Sequence, residues 1–185
     1  DAVKTAVDMA NAAYMRDGHL SGLATGMRDL DRRMGGLQSS DLIVLAGRPG
    51  MGKTSLATNI AFNIAEAYVP AQQADGSFKA ANGGVVGFFS LEMSSEQLAT
   101  RIISEQTEIS SSKIRRGEIS EMDFEKLVAC SQTMQKIPLF IDQTGGISIA
   151  QLSARARRLK RQRGLDLIVI DYIQLMQGSS AKSSQ

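Results

Sequence analysis

Residues 44–57 read VLAGRPGMGKTSLA. Within them Gly47, Gly52, Lys53 and Thr54 fit G-x-x-x-x-G-K-[ST], the spacing of a loop that cradles phosphate. Glycine at positions 47, 50 and 52 lets successive backbone N–H groups turn on an anion, and a helix starting near Gly52 adds its positive end. The candidate binding stretch is therefore Gly47, Arg48, Pro49, Gly50, Met51, Gly52, Lys53, Thr54 and Ser55. In such a loop Lys53 reaches the outer phosphates as a point charge, and the Thr54 hydroxyl ligates a magnesium ion.

Three carboxylates close apolar runs further along. Asp171 ends LDLIVID, and a charge at the tip of a buried strand needs a cation or hydrogen-bond donors. It fits a magnesium-side carboxylate of a nucleoside triphosphatase, with a helix cap or surface acid as the alternative. Glu92 follows VVGFFS in SLEM, where it either polarises a water for attack on the terminal phosphate or caps the helix that begins nearby. Asp142, at the tip of IPLFID, reads as a cap or turn residue. Lys53, Glu92 and Asp171 are the candidate catalytic residues, and Thr54 with Asp171 the candidate metal ligands.

Other chemistries are excluded by what the chain lacks. His19 is the sole histidine, which removes a histidine-based triad and any multi-histidine metal site. Cys130 is the sole cysteine and sits on the apolar side of an expected helix, as a small hydrophobe rather than a nucleophile.

These residues need elements to position them. At 185 residues, 43% apolar and 22% charged, the chain suits one soluble domain with a real core. Its 21 Lys and Arg against 19 Asp and Glu leave a net charge of +2, which neither requires nor excludes nucleic acid. Strands are expected at DLIVLAG (41–47), VVGFFS (85–90), IPLFID (137–142) and LDLIVID (165–171), the first buried on both faces. Helices are expected over about 1–15, 52–68, 95–106, 121–135 and 148–164. Residues 21–41 read as loops and short turns, 70–84 as a polar, glycine-rich surface insertion, and 110–120 as a polar joint.

Strands alternating with helices predict an α/β fold with a mostly parallel sheet covered on both faces, its ligand outside the carboxyl ends of the strands. The basic helix at 148–163 carries Arg155, Arg157, Arg158, Lys160, Arg161 and Arg163 around an inner face of Ile149, Leu152, Ala156 and Leu159. That pattern fits a solvated or subunit-contact face, with nucleic acid as the alternative; aromatic platforms for bases are missing. No 18-residue apolar run and no signal-like N-terminus are present, so a cytoplasmic setting without membrane contact is expected, and the tail 177–185 reads as mobile.

A phosphate loop alone leaves kinases, motors and passive nucleotide binders open. Three stretches together, from GLATGMRDLD through GRPGMGKTSLATNIA, then FFSLEMSSEQLATRI, then LIVIDYIQLM, resemble the bacterial replicative DNA helicases of the DnaB type, within the RecA-like motor superfamily. The resemblance runs from about Leu20 to Gln177. It implies a RecA-like P-loop NTPase core using ATP and Mg2+, in a homo-hexamer that encircles single-stranded DNA and meets a helicase loader and primase. A related RecA-like ATPase of recombination, repair or helicase loading is the second reading.

On this resemblance Gly47 to Thr54 match the phosphate loop, Glu92 the catalytic glutamate and Asp171 the magnesium-side aspartate. Residues 1–19 take the place of a linker helix that packs on a neighbouring subunit, and 20–185 that of the N-terminal part of the motor domain. The family's phosphate-sensing glutamine, DNA-binding loops and arginine finger have no counterpart here, so the isolated chain is expected to bind nucleotide but to be deficient in hydrolysis.

Overall fold

The computed structural model of the protein describes residues 2–15 and 20–178. The helix end expected at Asp17-Gly18, His19 and the tail beyond 178 lie outside the described residues. By their internal contacts the residues form two compact units, Asp1–Val44 and Leu45–Gln185.

In the first unit the expected helix is α1 (Ala2–Tyr14). Its apolar stripe stands exposed, Val3 at 72%, Val7 at 61% and Tyr14 at 86%. The stretch expected to be only loops and turns contains a further helix, α2 (Arg28–Met34). Asp31 organises it: its buried carboxylate accepts the Thr25 backbone N–H at 2.8 Å and the Thr25 hydroxyl at 2.7 Å. Gly35 then ends the helix in the left-handed region, φ 70°. Seven residues are too few to show a periodicity, so tertiary fastening rather than pattern makes this helix.

The second unit runs α3 (Lys53–Glu66), β1 (Val69–Gln72), β2 (Phe78–Asn82), β3 (Val86–Ser90), α4 (Ser95–Thr107), α5 (Ser111–Arg116), α6 (Glu121–Lys136), β4 (Leu139–Asp142), α7 (Ile149–Arg163) and β5 (Leu167–Asp171). A 3₁₀ turn at Ile173–Leu175 follows. β3, β4 and β5 form a parallel sheet in the order β4-β3-β5. The central β3 is buried at all five positions, which is why VVGFFS is a continuous apolar run rather than an alternating one.

Strand alternation divides the core. Phe89 packs with Leu91, Ile147, and Leu152 and Ala156 of α7. A Cβ on Gly87, on the same side, would meet Leu159 at 3.1 Å, so glycine lets α7 approach the strand. Val86 and Phe88, both 0% exposed, turn to the opposite face, and α3 brings Ala61, Phe62, Ile64 and Ala65 to the core. Serines start the later helices: Ser94, Ser110, Ser120 and Ser148 cap α4, α5, α6 and α7, with full capping boxes at Ser94–Gln97 and Ser148–Gln151.

Three further expectations are corrected. The insertion at 70–84 is on the surface, as its composition suggests, but it folds into the β1–β2 antiparallel hairpin. Asp75 stabilises its turn by accepting the Ser77 N–H at 2.9 Å. The polar joint at 110–120 contains α5. Most consequentially, DLIVLAG is not a buried strand: residues 41–48 carry no strand pairing, and Leu42 and Val44 are 90% and 78% exposed. Apolar composition reports that a segment gains by burial; a strand also needs a neighbour to complete its ladder, and a single segment cannot encode that. The parallel sheet accordingly has three strands rather than the four expected.

Candidate functional site

The parallel strands bring their carboxyl ends to one edge, and the candidate residues collect there. Ser90 pairs in register with Asp171, and the Leu91 N–H donates to the Asp171 carbonyl at 2.9 Å. That bond fixes the exit of β3 to the tip of β5, so Glu92 leaves the sheet beside Asp171's strand.

Asp171 is buried, 8% exposed. The cost of that burial is met across the fold: the Thr54 hydroxyl donates to its Oδ2 at 2.8 Å, over 117 residues of sequence. Thr54 lies on the first turn of α3, directly behind the glycine-rich loop. Two oxygen donors held together in this way suit a hard cation that keeps most of its water, as magnesium does. Among the described residues no cluster of three or more His, Cys, Asp or Glu side chains could hold a metal.

The loop itself is shaped for an anion. Gly50 and Gly52 take φ of 76° and 86°, in the left-handed region, and a Cβ at either would meet nothing within 4 Å. Their conformation therefore demands glycine, and their faces are open. The Met51 N–H donates to the Arg48 carbonyl at 3.2 Å, closing a turn through Pro49 and Gly50. Where the later helices begin at a capping serine, α3 begins at Gly52 with no side-chain cap. Its first amides thus lack a side-chain cap, whose place an external anion can take.

Lys53 lies half-buried beside this loop. A Cβ on Gly47 would sit 3.4 Å from its Cγ, so the lysine stem folds over bare glycine backbone. Its Nζ hangs 5.7 Å from the centre of the Tyr172 ring. Ser55 is two residues further along α3, and its hydroxyl accepts a long 3.5 Å contact from Arg101 of α4.

Glu92 is exposed, in the bend between β3 and α4. It is not the cap of α4, because Ser94 fills that role with Gln97. The mundane alternative for Glu92 is thereby removed. Asp142 is neither cap nor simple turn residue: both its oxygens accept from Arg155 Nη1 at 2.8 Å, and Thr144 donates to Oδ1 at 2.8 Å. The next residue, Gln143, accepts the Ser95 N–H through Oε1, which ties the end of β4 to the start of α4.

Away from the site, Arg157, Arg158, Lys160, Arg161 and Arg163 line the outer side of α7, while Leu152 and Ala156 are buried. Cys130 is half-buried, and burial with the nearby Glu66 charge pushes its thiol up from the ordinary value, away from reactivity. No described helix is long and apolar enough to cross a membrane.

Two participants escape a reading of sequence. Tyr172 adjoins Asp171, and only that adjacency hints at it. Glu105, towards the end of α4, looks like a solvated acid but accepts from Thr58 at 2.8 Å and Asn59 at 3.1 Å, bracing α4 against α3. Its Oε1 is buried without a hydrogen-bond partner among the described residues.

Comparison with known proteins agrees with this geometry. The family described as DnaB-like helicase C terminal domain matches residues 22–185. The chain is 42% identical over 175 residues to the replicative DNA helicase DnaB of Rickettsia typhi, covering 95% of this chain and 34% of that protein. It is 37% identical over 179 residues to the replicative DNA helicase DnaC of Bacillus subtilis, 97% of this chain and 36% of that protein. Among solved structures, one described as an ATPase domain superposes with TM-score 0.81 at 26% identity, over 100% of this chain and 61% of that one. A DnaB-like replicative helicase, solved to show its interactions with primase, superposes with TM-score 0.77 at 26% identity, over 98% of this chain and 41% of that one. The chain spans about a third of the length of the curated relatives it matches. The RecA-like ATPase fold of these helicases is thus the fold of this chain.

Proposed function

The chain belongs to the family of DnaB-like helicase C-terminal domains, and on that basis we propose that it is the ATP-binding part of a hexameric replicative DNA helicase. Such a machine couples hydrolysis of Mg-ATP to movement along single-stranded DNA and to duplex unwinding. Family membership favours this over a RecA-like ATPase of recombination, repair or helicase loading. The nucleotide site within this reading rests above all on the Thr54–Asp171 hydrogen bond, which joins the uncapped start of α3 to the tip of β5.

In this reading the free backbone N–H groups of the Gly47–Ser55 loop, which leave out Pro49, without one, and Met51, whose own donates to Arg48, hold the phosphates together with the Lys53 ammonium, and α3 adds its positive end. Thr54 and Asp171 would hold magnesium, which when bound neutralises charge on the outer phosphates. Glu92, exposed at the site edge and free of capping duty, orients the attacking water and draws on its proton. DNA, further copies of the subunit, a helicase loader and primase are the proposed partners, with residues 1–19 serving as a linker helix. Charge stabilisation by an arginine from a neighbouring copy completes the site, so the isolated chain binds nucleotide yet turns it over poorly. Equilibrium titration with Mg-ATP tests the binding site: Lys53→Ala is expected to weaken affinity by at least about 100-fold, the loss of a charge-assisted contact made in a partly dry site. Retained affinity contradicts the assignment.

A further inference from the structure

Lys53 raises a question that the phosphate loop does not answer. A lysine is a compact, strongly hydrated charge on a flexible stem, and a surface lysine ordinarily swings through solvent. This one is instead half-buried while Arg48 to Gly52 beside it are exposed. Among the described residues it makes no ion pair, so no carboxylate holds it there. Two neighbours do. Bare Gly47 backbone supports the stem, with Cγ and Cδ 3.4 and 3.6 Å from where a Cβ would be. The Tyr172 ring takes the charged end, 5.7 Å from ring centre to Nζ, within the reach of a cation–π contact.

We propose that Tyr172 is a positioning residue that holds the Lys53 ammonium over the phosphate loop before nucleotide arrives. The inference rests on the nucleotide-binding reading above and deepens it. Tyr172 is itself well placed for this: it follows Asp171 on the same strand tip, is half-buried, and its carbonyl is fixed by the Leu175 N–H at 3.1 Å. The dipeptide Asp171-Tyr172 thus governs both reactive side chains of α3's first turn, Thr54 through a hydrogen bond and Lys53 through a ring face. The ring covers only one side of the ammonium, so Lys53 keeps its ring contact while its other N–H groups stay open to a phosphate. With the stem ordered in advance, less rotamer freedom is lost on binding.

The test is binding of a fluorescent ATP analogue with magnesium to the complete protein. Tyr172→Phe keeps the ring face and is expected to bind within about twofold of wild type. Placing one, two and then three fluorines on that phenylalanine drains the negative face while keeping its shape, and affinity should fall at each step. Tyr172→Leu, without a ring, should bind about 3- to 10-fold more weakly. A flat fluorine series overturns the proposal, as does a Tyr172→Leu protein that binds as tightly as wild type. If the leucine variant fails to fold, the fluorine series decides alone. Wild-type protein that binds no nucleotide overturns instead the reading on which the proposal rests, and the proposal with it.

Discussion

At the scale of single residues, the site is a set of charges whose placement is legible to different degrees. The phosphate loop is legible because glycine at 50 and 52 is a conformational necessity, φ 76° and 86°, and necessity shows in composition. Asp171 is legible because a carboxylate closing LIVID has to find a donor, and Thr54 is that donor. Glu92 stands open between two roles in the sequence, and of these the cap of α4 falls to Ser94. Glu92→Gln is therefore expected to leave Mg-ATP affinity within about threefold while turnover falls by about 10²- to 10⁴-fold, measured as kcat beside Kd. Equal loss in both would assign Glu92 to binding. Cys130 gives a prediction of opposite character. Its thiol titrates above the ordinary range through burial and Glu66, so less of it is thiolate at mildly alkaline pH than for an unburied cysteine. Iodoacetamide labelling followed by mass spectrometry should be slower than for a free thiol at the same pH, and a rate equal to or above that of the free thiol would contradict the burial.

At the scale of elements, the long helices and the three sheet strands follow from pattern, and the shorter pieces do not. Serine followed three residues on by glutamine is a start signal that needs no tertiary context, and α4 and α7 begin where Ser94-Gln97 and Ser148-Gln151 stand. Ser94→Ala is expected to cost about 1 kcal/mol, read from the denaturant midpoint, with no change in slope. Leu152, 4% exposed against Phe89 and Ala156, should cost about 2–5 kcal/mol when cut to alanine, because α7 is fastened to the sheet largely through it and its neighbours. An effect below about 1 kcal/mol would mean that this face of the sheet is not packed as described. By contrast, α2 depends on the Thr25–Asp31 fastening, and the β1–β2 hairpin on a turn at Asp75, contacts that periodicity does not register. Leu42 to Leu45 carry the composition of a strand and stand exposed, since the ladder partner that would make them one is not a property of their own residues.

At the scale of the whole molecule, sequence, fold and site converge. The carboxyl edge of the parallel sheet ends in Asp171, Thr54 and Lys53 reach Asp171 and Tyr172 there, Glu92 leaves from the neighbouring strand, and the family match over residues 22–185 connects the chain to helicases. Along α7, exposed Arg157, Arg158 and Arg161 are spaced as a solvated face would be, so they do not by themselves argue for DNA. What distinguishes a DNA-driven motor from a passive nucleotide binder is coupling between the two ligands. The decisive experiment is ATP turnover by the complete protein, with and without single-stranded DNA, in wild type and Glu92→Gln. A DNA-driven motor with Glu92 at the water should show turnover strongly stimulated by DNA and lost in the variant. Turnover indifferent both to DNA and to Glu92 would contradict that function.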